Sequence, residues 1–190
     1  MKTLRMAVIL LAGVVGWAAA APAAERVYTL PGDHGSLVLP VPEGWSEKMQ
    51  KPQPDAAPTI RLRESDDDGD FVAFVTALWP EFGAAPDFGT AAGVRRIVAA
   101  SAARMADRAV EREIELVPIG GGRTGFYFVA TDKALVGRTP PPGEYRYVTQ
   151  GALTVGGLLC TFTLYANEDP SDRIEAALDM LRAAAHRTGL

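Results

Sequence analysis

Between Tyr145 and Ala166, apolar and polar positions alternate along two runs separated by Gly156-Gly157. In the second run Leu158, Cys160, Phe162, Leu164 and Ala166 fall on one face, and Leu159, Thr161, Thr163 and Tyr165 on the other. Side chains of a strand point alternately to its two sides, so the first set suits a core and the second a wetter surface. In the first run Tyr145, Tyr147, Thr149, Gly151, Leu153 and Val155 share a face. Gly-Gly supplies the backbone freedom of a tight hairpin turn, and Gly151 marks either a bulge or a close approach of another group. The stretch predicts a long β-hairpin around which the rest is organised.

The same pattern orders the remaining chain. Glu25–Leu30 predicts a short strand, and Pro31–Gly35 a turn. Ser36–Val41 predicts a strand with Leu37, Leu39 and Val41 inward, stopping at Pro42-Glu43-Gly44-Trp45. Met49–Pro58 has three prolines and no period, which predicts a loop. Thr59–Glu64 sets Ile60 and Leu62 against Arg61 and Arg63, a strand with one wet face. Ser65–Asp70 predicts a hairpin loop, and Phe71–Trp79, apolar on both faces, a central strand covered on both sides. After a loop at Pro80–Gly89, Val94, Ile97, Val98, Ala102 and Met105 recur at helical spacing, giving a helix over Thr90–Asp107. Arg112–Ile119 and Arg123–Asp132 predict two strands about the Gly120-Gly121-Gly122 turn, with Ile114 and Leu116 inward on the first. Lys133–Gly143 predicts a loop before the hairpin. A last helix is capped by Asp169 with Pro170 in its first turn and buries Ile174, Ala177, Leu178, Leu181 and Ala185. Arg182 and Arg187 suit its C-terminal dipole.

Strands, a helix, four strands and a helix, joined mostly by short links, predict an α+β fold: an antiparallel β-sheet with helices packed on it. A strand ending in P-x-G-W (Pro42, Glu43, Gly44, Trp45), then a mid-chain helix, a long hairpin and a C-terminal amphipathic helix resemble the PsbP/Mog-like α/β/α sandwich. That superfamily includes many exported bacterial proteins of unknown function. The resemblance implies a non-enzymatic binding or assembly module, and it supplies no catalytic motif to place on this chain.

Composition adds location. Lys2 and Arg5 precede Met6–Ala21, an apolar run without a charge, and Ala21-Pro22-Ala23 offers a small-x-small cleavage site. This predicts a signal peptide over residues 1–23 and a single domain over residues 24–190. The alternative is a membrane anchor, for which the run is short. No cysteine lies near the cleavage site to carry a lipid. The expected destination is the periplasm, as a soluble protein that does not span the membrane and is not a lipoprotein. The 190 residues hold 19 basic and 23 acidic side chains, a net charge of −4. Loss of Lys2 and Arg5 makes the rest more acidic still, which argues against a nucleic-acid partner. Cys160 is the only cysteine. No intramolecular disulfide is available, and its apolar face predicts a core thiol rather than a reactive one.

Candidate chemistry is sparse. Gly120, Gly122 and Gly125 spell G-x-G-x-x-G, but a strand rather than a helix follows, so a turn is expected rather than a dinucleotide site. Glu64, Asp66, Asp68 and Gly69 imitate the start of a calcium loop. The bidentate Glu would fall at Val75, leaving a solvated turn or, at most, a weak cation site over Asp66–Asp70. His34 and His186 have no His or Cys at ligand spacing, and no nucleophile motif is present. No catalytic residue, cofactor or metal ligand is assigned.

Two features could form a partner surface. Arg95, Arg96, Arg104 and Arg108, with Arg112 beyond, could take an anionic ligand or headgroup, or form a solvated face balanced by Asp107, Glu111 and Glu113. The stiff Pro140-Pro141-Pro142 loop could present a docking edge or simply join two strands. The expectation is an exported non-enzymatic binding module acting by protein–protein contact in the cell envelope. The alternatives are a periplasmic small-molecule or metal-binding protein with a pocket between sheet and helix, and a hydrolase with an unmarked site.

Overall fold

Five strands, a helix, four strands, a second helix and a final strand follow one another in the computed structural model, which describes residues 23–50, 57–65, 69–80, 82, 88–168 and 172–189. Residues 1–22 of the expected signal peptide, the cap at Asp169 and Pro170, and Asp66 and Asp68 of the calcium-like loop lie outside the described residues, as does most of the Pro80–Gly89 loop.

The strands are β1 (Ala24–Thr29), β2 (Ser36–Val41), β3 (Trp45–Gln50), β4 (Thr59–Glu64), β5 (Phe71–Leu78), β6 (Val117–Pro118), β7 (Gly125–Thr131), β8 (Tyr147–Val155), β9 (Leu158–Ala166) and β10 (Ala185–Arg187). Helix α1 is Ala91–Met105 and α2 is Asp172–Ala183. Seven strands form one antiparallel sheet in the order β3-β4-β5-β9-β8-β7-β6, and three form another, β1-β2-β10. The β8–β9 hairpin lies inside the large sheet and turns at Gly156-Gly157 as the alternation predicts, with Val155 opposite Leu158.

The large sheet has two unlike faces. Its front packs against α2 and the small sheet around Phe71, Val75, Phe162, Leu164, Leu178 and Leu181. All five inward residues expected of β9 are buried there. Gly151 is a close approach rather than a bulge: it pairs directly with Phe162. A Cβ at that position would stand 2.4 Å from the Phe126 carbonyl oxygen and 2.6 Å from Cζ of Phe162. On the back, α1 covers only the β7–β8 end, where Val94, Val98 and Ala102 meet Phe128, Ala130, Ala152 and Leu159. Thr90 caps α1, its hydroxyl accepting from the Gly93 N–H at 3.1 Å. Ile97 and Met105, expected in the stripe, are half-buried at its margins.

Three local expectations need correction. Trp45–Gln50 is a strand, so the loop expected from Met49 begins later. Only Trp45 and Met49 of β3 are apolar members of the core, and its one partner in the sheet is β4; a mostly polar edge strand leaves little pattern to read. Arg112–Leu116 is not a strand: only Val117–Pro118 pairs with β7. The Glu111 carboxylate, not a backbone carbonyl, accepts the Thr131 N–H at 2.9 Å, and it also accepts from the Thr131 hydroxyl at 2.7 Å. Finally, α2 ends at Ala183, and exposed Ala185 belongs to β10, paired antiparallel with β2. Arg123 terminates the helix by donating to the carbonyls of Arg182 (2.7 Å) and Ala184 (2.6 Å). No glycine or proline breaks the sequence there, so the stop is tertiary.

Candidate functional site

Strand pairing places charges in rows on the uncovered half of the back face. Because β4 alternates, Ile60 and Leu62 enter the front core while Arg61 and Arg63 stand together on the back. Residues directly opposite share a face. One row therefore runs Lys48, Arg61, Phe74, Thr163, Gln150, and the next carries Ser46 and Arg63, then Val72, Tyr165 and Val148. Beside them Thr59 and Thr76 share a hydroxyl hydrogen bond of 2.8 Å.

Arg61 and Phe74 of the first row and Arg63, Val72, Tyr165 and Val148 of the second line an open groove of about 820 Å³. Arg61 and Arg63 line one side, Val72, Phe74 and Tyr165 the floor, and the far wall comes from Met105 at the end of α1 and Arg108 just past it, with Gly143–Tyr145. The rings of Phe74 and Tyr165 meet edge to face at 6.2 Å, and Tyr145 tilts over Tyr165 at 5.3 Å. The acids of the groove are Asp132 and Glu144. Asp132 is engaged: it accepts from Arg108 at 3.2 Å and from the Ala134 N–H at 2.9 Å. Arg61 and Arg63 have no ion pair among the described residues. Arg63 Nε is buried without a hydrogen-bond partner among them.

The residues singled out in sequence are distributed around this groove. Arg108 lines it. Arg95, Arg96 and Arg104 are exposed on α1: Arg95 lies 5.4 Å over the Phe126 ring, and Arg104 donates to the Ser101 hydroxyl at 3.0 Å. Arg112 is exposed beyond the helix. Pro141 and Pro142 are exposed and Pro140 half-buried; the loop they end leads directly into the Gly143–Tyr145 wall. Arg146 holds the start of that loop, donating to the carbonyls of Leu135 (3.3 Å) and Arg138 (2.5 Å). Arg61 and Arg63 were visible in sequence as the wet side of a strand. That they would flank aromatic residues from β5 and β9 depends on long-range pairing.

The two histidines meet at the opposite end of the sheet. His186 Nδ1 accepts from the Gly157 N–H at 3.2 Å, which leaves Nε2 to donate to the His34 carbonyl at 2.9 Å. The His34 ring stacks on Trp79 at 4.5 Å. The corner ties the hairpin turn to the small sheet. Among the described residues no three His, Cys, Asp or Glu side chains gather as metal ligands. Cys160 is buried, and that burial pushes its thiol up to about 12, so it stays protonated and inert at neutral pH. Burial, then the Glu47 carboxylate 2.5 Å away, hold the Tyr28 phenol far above its ordinary range. Gly120–Gly122 make the expected turn, with Gly125 opening a strand.

No family model matches the chain, and no curated protein matches it in sequence. Among solved structures it is similar to the cyanobacterial PsbP, CyanoP, of Synechocystis sp. PCC 6803, with a TM-score of 0.51 and 18% identity over 94% of this chain and 99% of that one. The fold is therefore PsbP-like α+β, as the order of elements implies.

Proposed function

We propose that the protein is an exported, non-enzymatic binding module that acts by contact with another protein in the cell envelope. The observation that carries this reading is the groove on the bare half of the large sheet. It sets Arg61 and Arg63, which have no ion pair among the described residues, beside half-buried aromatic surface. Arginine and aromatic side chains are the residue types that dominate binding energy at protein interfaces. Compatible with it is the PsbP-like fold. No helix of the described residues is long and apolar enough to cross a membrane. Export rests on the charged start, the apolar run and the Ala21-Pro22-Ala23 site. The first strand begins at Ala24, next to that site.

A second reading, a small anionic ligand taken up between sheet and helix end, has the groove's volume in its favour, since ligand sites span roughly 300–1,000 Å³. The openness of the groove favours a protein, because small-molecule sites bury most of their ligand. Photo-cross-linking separates the two. With a photoreactive residue at Thr163, directly opposite Phe74 of the groove, the reading expects a discrete protein adduct in the envelope fraction. A probe at Asp179, exposed on α2, should give none. No adduct from Thr163, or the same adducts from both positions, contradicts it. Mass spectrometry of the same preparation should find a chain starting near Ala24; a chain starting at Met1 contradicts export with cleavage.

A further inference from the structure

We infer that the groove recognises an acidic, extended segment of its partner, with carboxylates two residues apart and an aromatic or large apolar side chain beside them. This deepens the protein-contact reading and rests on it.

Three observations point to that chemistry. The chain is acidic overall, at −4, yet the groove gathers Arg61, Arg63 and Arg108, and of its two acids, Asp132 and Glu144, Asp132 is already engaged by Arg108. Charge of one sign held on an oppositely charged molecule selects a complementary partner. Arg63 Nε is buried without an acceptor among the described residues. A buried donor left unpaired is costly, and a carboxylate accepting from the Nε–Nη edge of a turned guanidinium removes that cost in a bidentate pair. Arg61 and Arg63 are next-but-one neighbours on a strand, about 7 Å apart along it. An extended peptide repeats its side chains on one face at the same pitch, so alternate Asp or Glu residues match the arginine pair. The apolar requirement comes from the floor, where Phe74, Tyr165 and Tyr145 offer ring surface beside the arginines.

The test is selection from a random short-peptide display library on the mature protein, followed by fluorescence-anisotropy titration of enriched peptides. Expected are sequences with two acidic residues spaced by one and a neighbouring aromatic or Leu. Their binding should weaken with added salt and fall about tenfold or more in Arg61→Ala/Arg63→Ala. Arg61→Gln alone, with folding checked by circular dichroism, gives the second variant should the double one fail to fold; it should also weaken binding. No enrichment, enriched peptides without acids, or equal affinity for the variants overturns the inference. So does arginine-dependent sedimentation with phosphatidylglycerol vesicles when no acidic peptide binds, which would assign the face to a lipid surface. Failure here with a persisting Thr163 adduct removes the acidic segment and keeps the protein contact. Loss of the adduct removes the protein contact itself.

Discussion

The front and back of the large sheet are made by the same strands, and they are covered differently. On β5, β8 and β9 alternate residues face α2 and the small sheet, where Phe71, Phe162, Leu153 and Leu164 are fully or almost fully buried. The intervening residues face the back, where α1 covers the β7–β8 end and leaves Phe74, Thr163 and Tyr165 half-buried and the arginines of β4 in a groove. A helix of fifteen residues cannot blanket seven strands. The side chains it leaves uncovered are those that folding does not require to be apolar. The difference separates positions that hold the fold from positions free to carry recognition.

The strongest break of this contrast is at the hairpin. Phe162→Ala should cost about 3–5 kcal/mol, as large-to-small core changes do, while Thr161→Ala and Thr163→Ala on the back should each cost within about 1 kcal/mol. Urea denaturation of the three variants reads it, and equal costs would mean the back is as tightly packed as the front. Next, Gly151→Ala should cost about 1–3 kcal/mol, because its methyl group would press on the Phe126 carbonyl of β7 and the Phe162 ring of β9, on either side of it; the same denaturation series measures it.

A smaller effect of opposite sign is expected at Thr149. It is the buried polar residue of the described core, and its hydroxyl has no partner there. Thr149→Val keeps the shape and removes the orphan group, and should raise stability by about 1 kcal/mol. A lower melting temperature would mean that the hydroxyl is satisfied in solution.

The smallest expected effect concerns pH. Burial opposes ionisation of Glu111, but the Thr131 N–H and hydroxyl outweigh it and hold the carboxyl below its usual value. A carboxylate with a lowered folded pKa adds stability that is fully present above the ordinary glutamate range and is lost as pH falls through the lowered value. Glu111→Gln should therefore destabilise at neutral pH and flatten the acid limb of the stability profile. An unchanged limb would contradict the pairing.

How much of this was legible in sequence follows from the range of the forces. The hairpin, β2, β4 and α1 each show a period of two or of three to four, and β5 an apolar run on both faces, set by burial of the element's own residues. Strand β3 escaped because an edge strand with Trp45 and Met49 inward has too few apolar positions to repeat. The end of α2 escaped because Arg123, sixty residues away in the chain, takes its carbonyls. The groove was half legible. Alternation put Arg61 and Arg63 on a wet face, but the strand carrying Phe74 was expected to be covered on both sides, whereas Phe74 is half-buried. Their meeting depends on β4 pairing with β5 and β5 with β9.

The central claim is that the bare half of the back face recognises while the front holds the fold. Its most direct test uses Arg61→Glu/Arg63→Glu in a protein carrying the photoreactive residue at Thr163, with unfolding free energy and cross-link yield measured on one preparation. The expected result is a stability within about 0.5 kcal/mol of the parent together with loss of the envelope adduct. A stability loss on the scale of Phe162→Ala, or an adduct that survives the charge reversal, would contradict it.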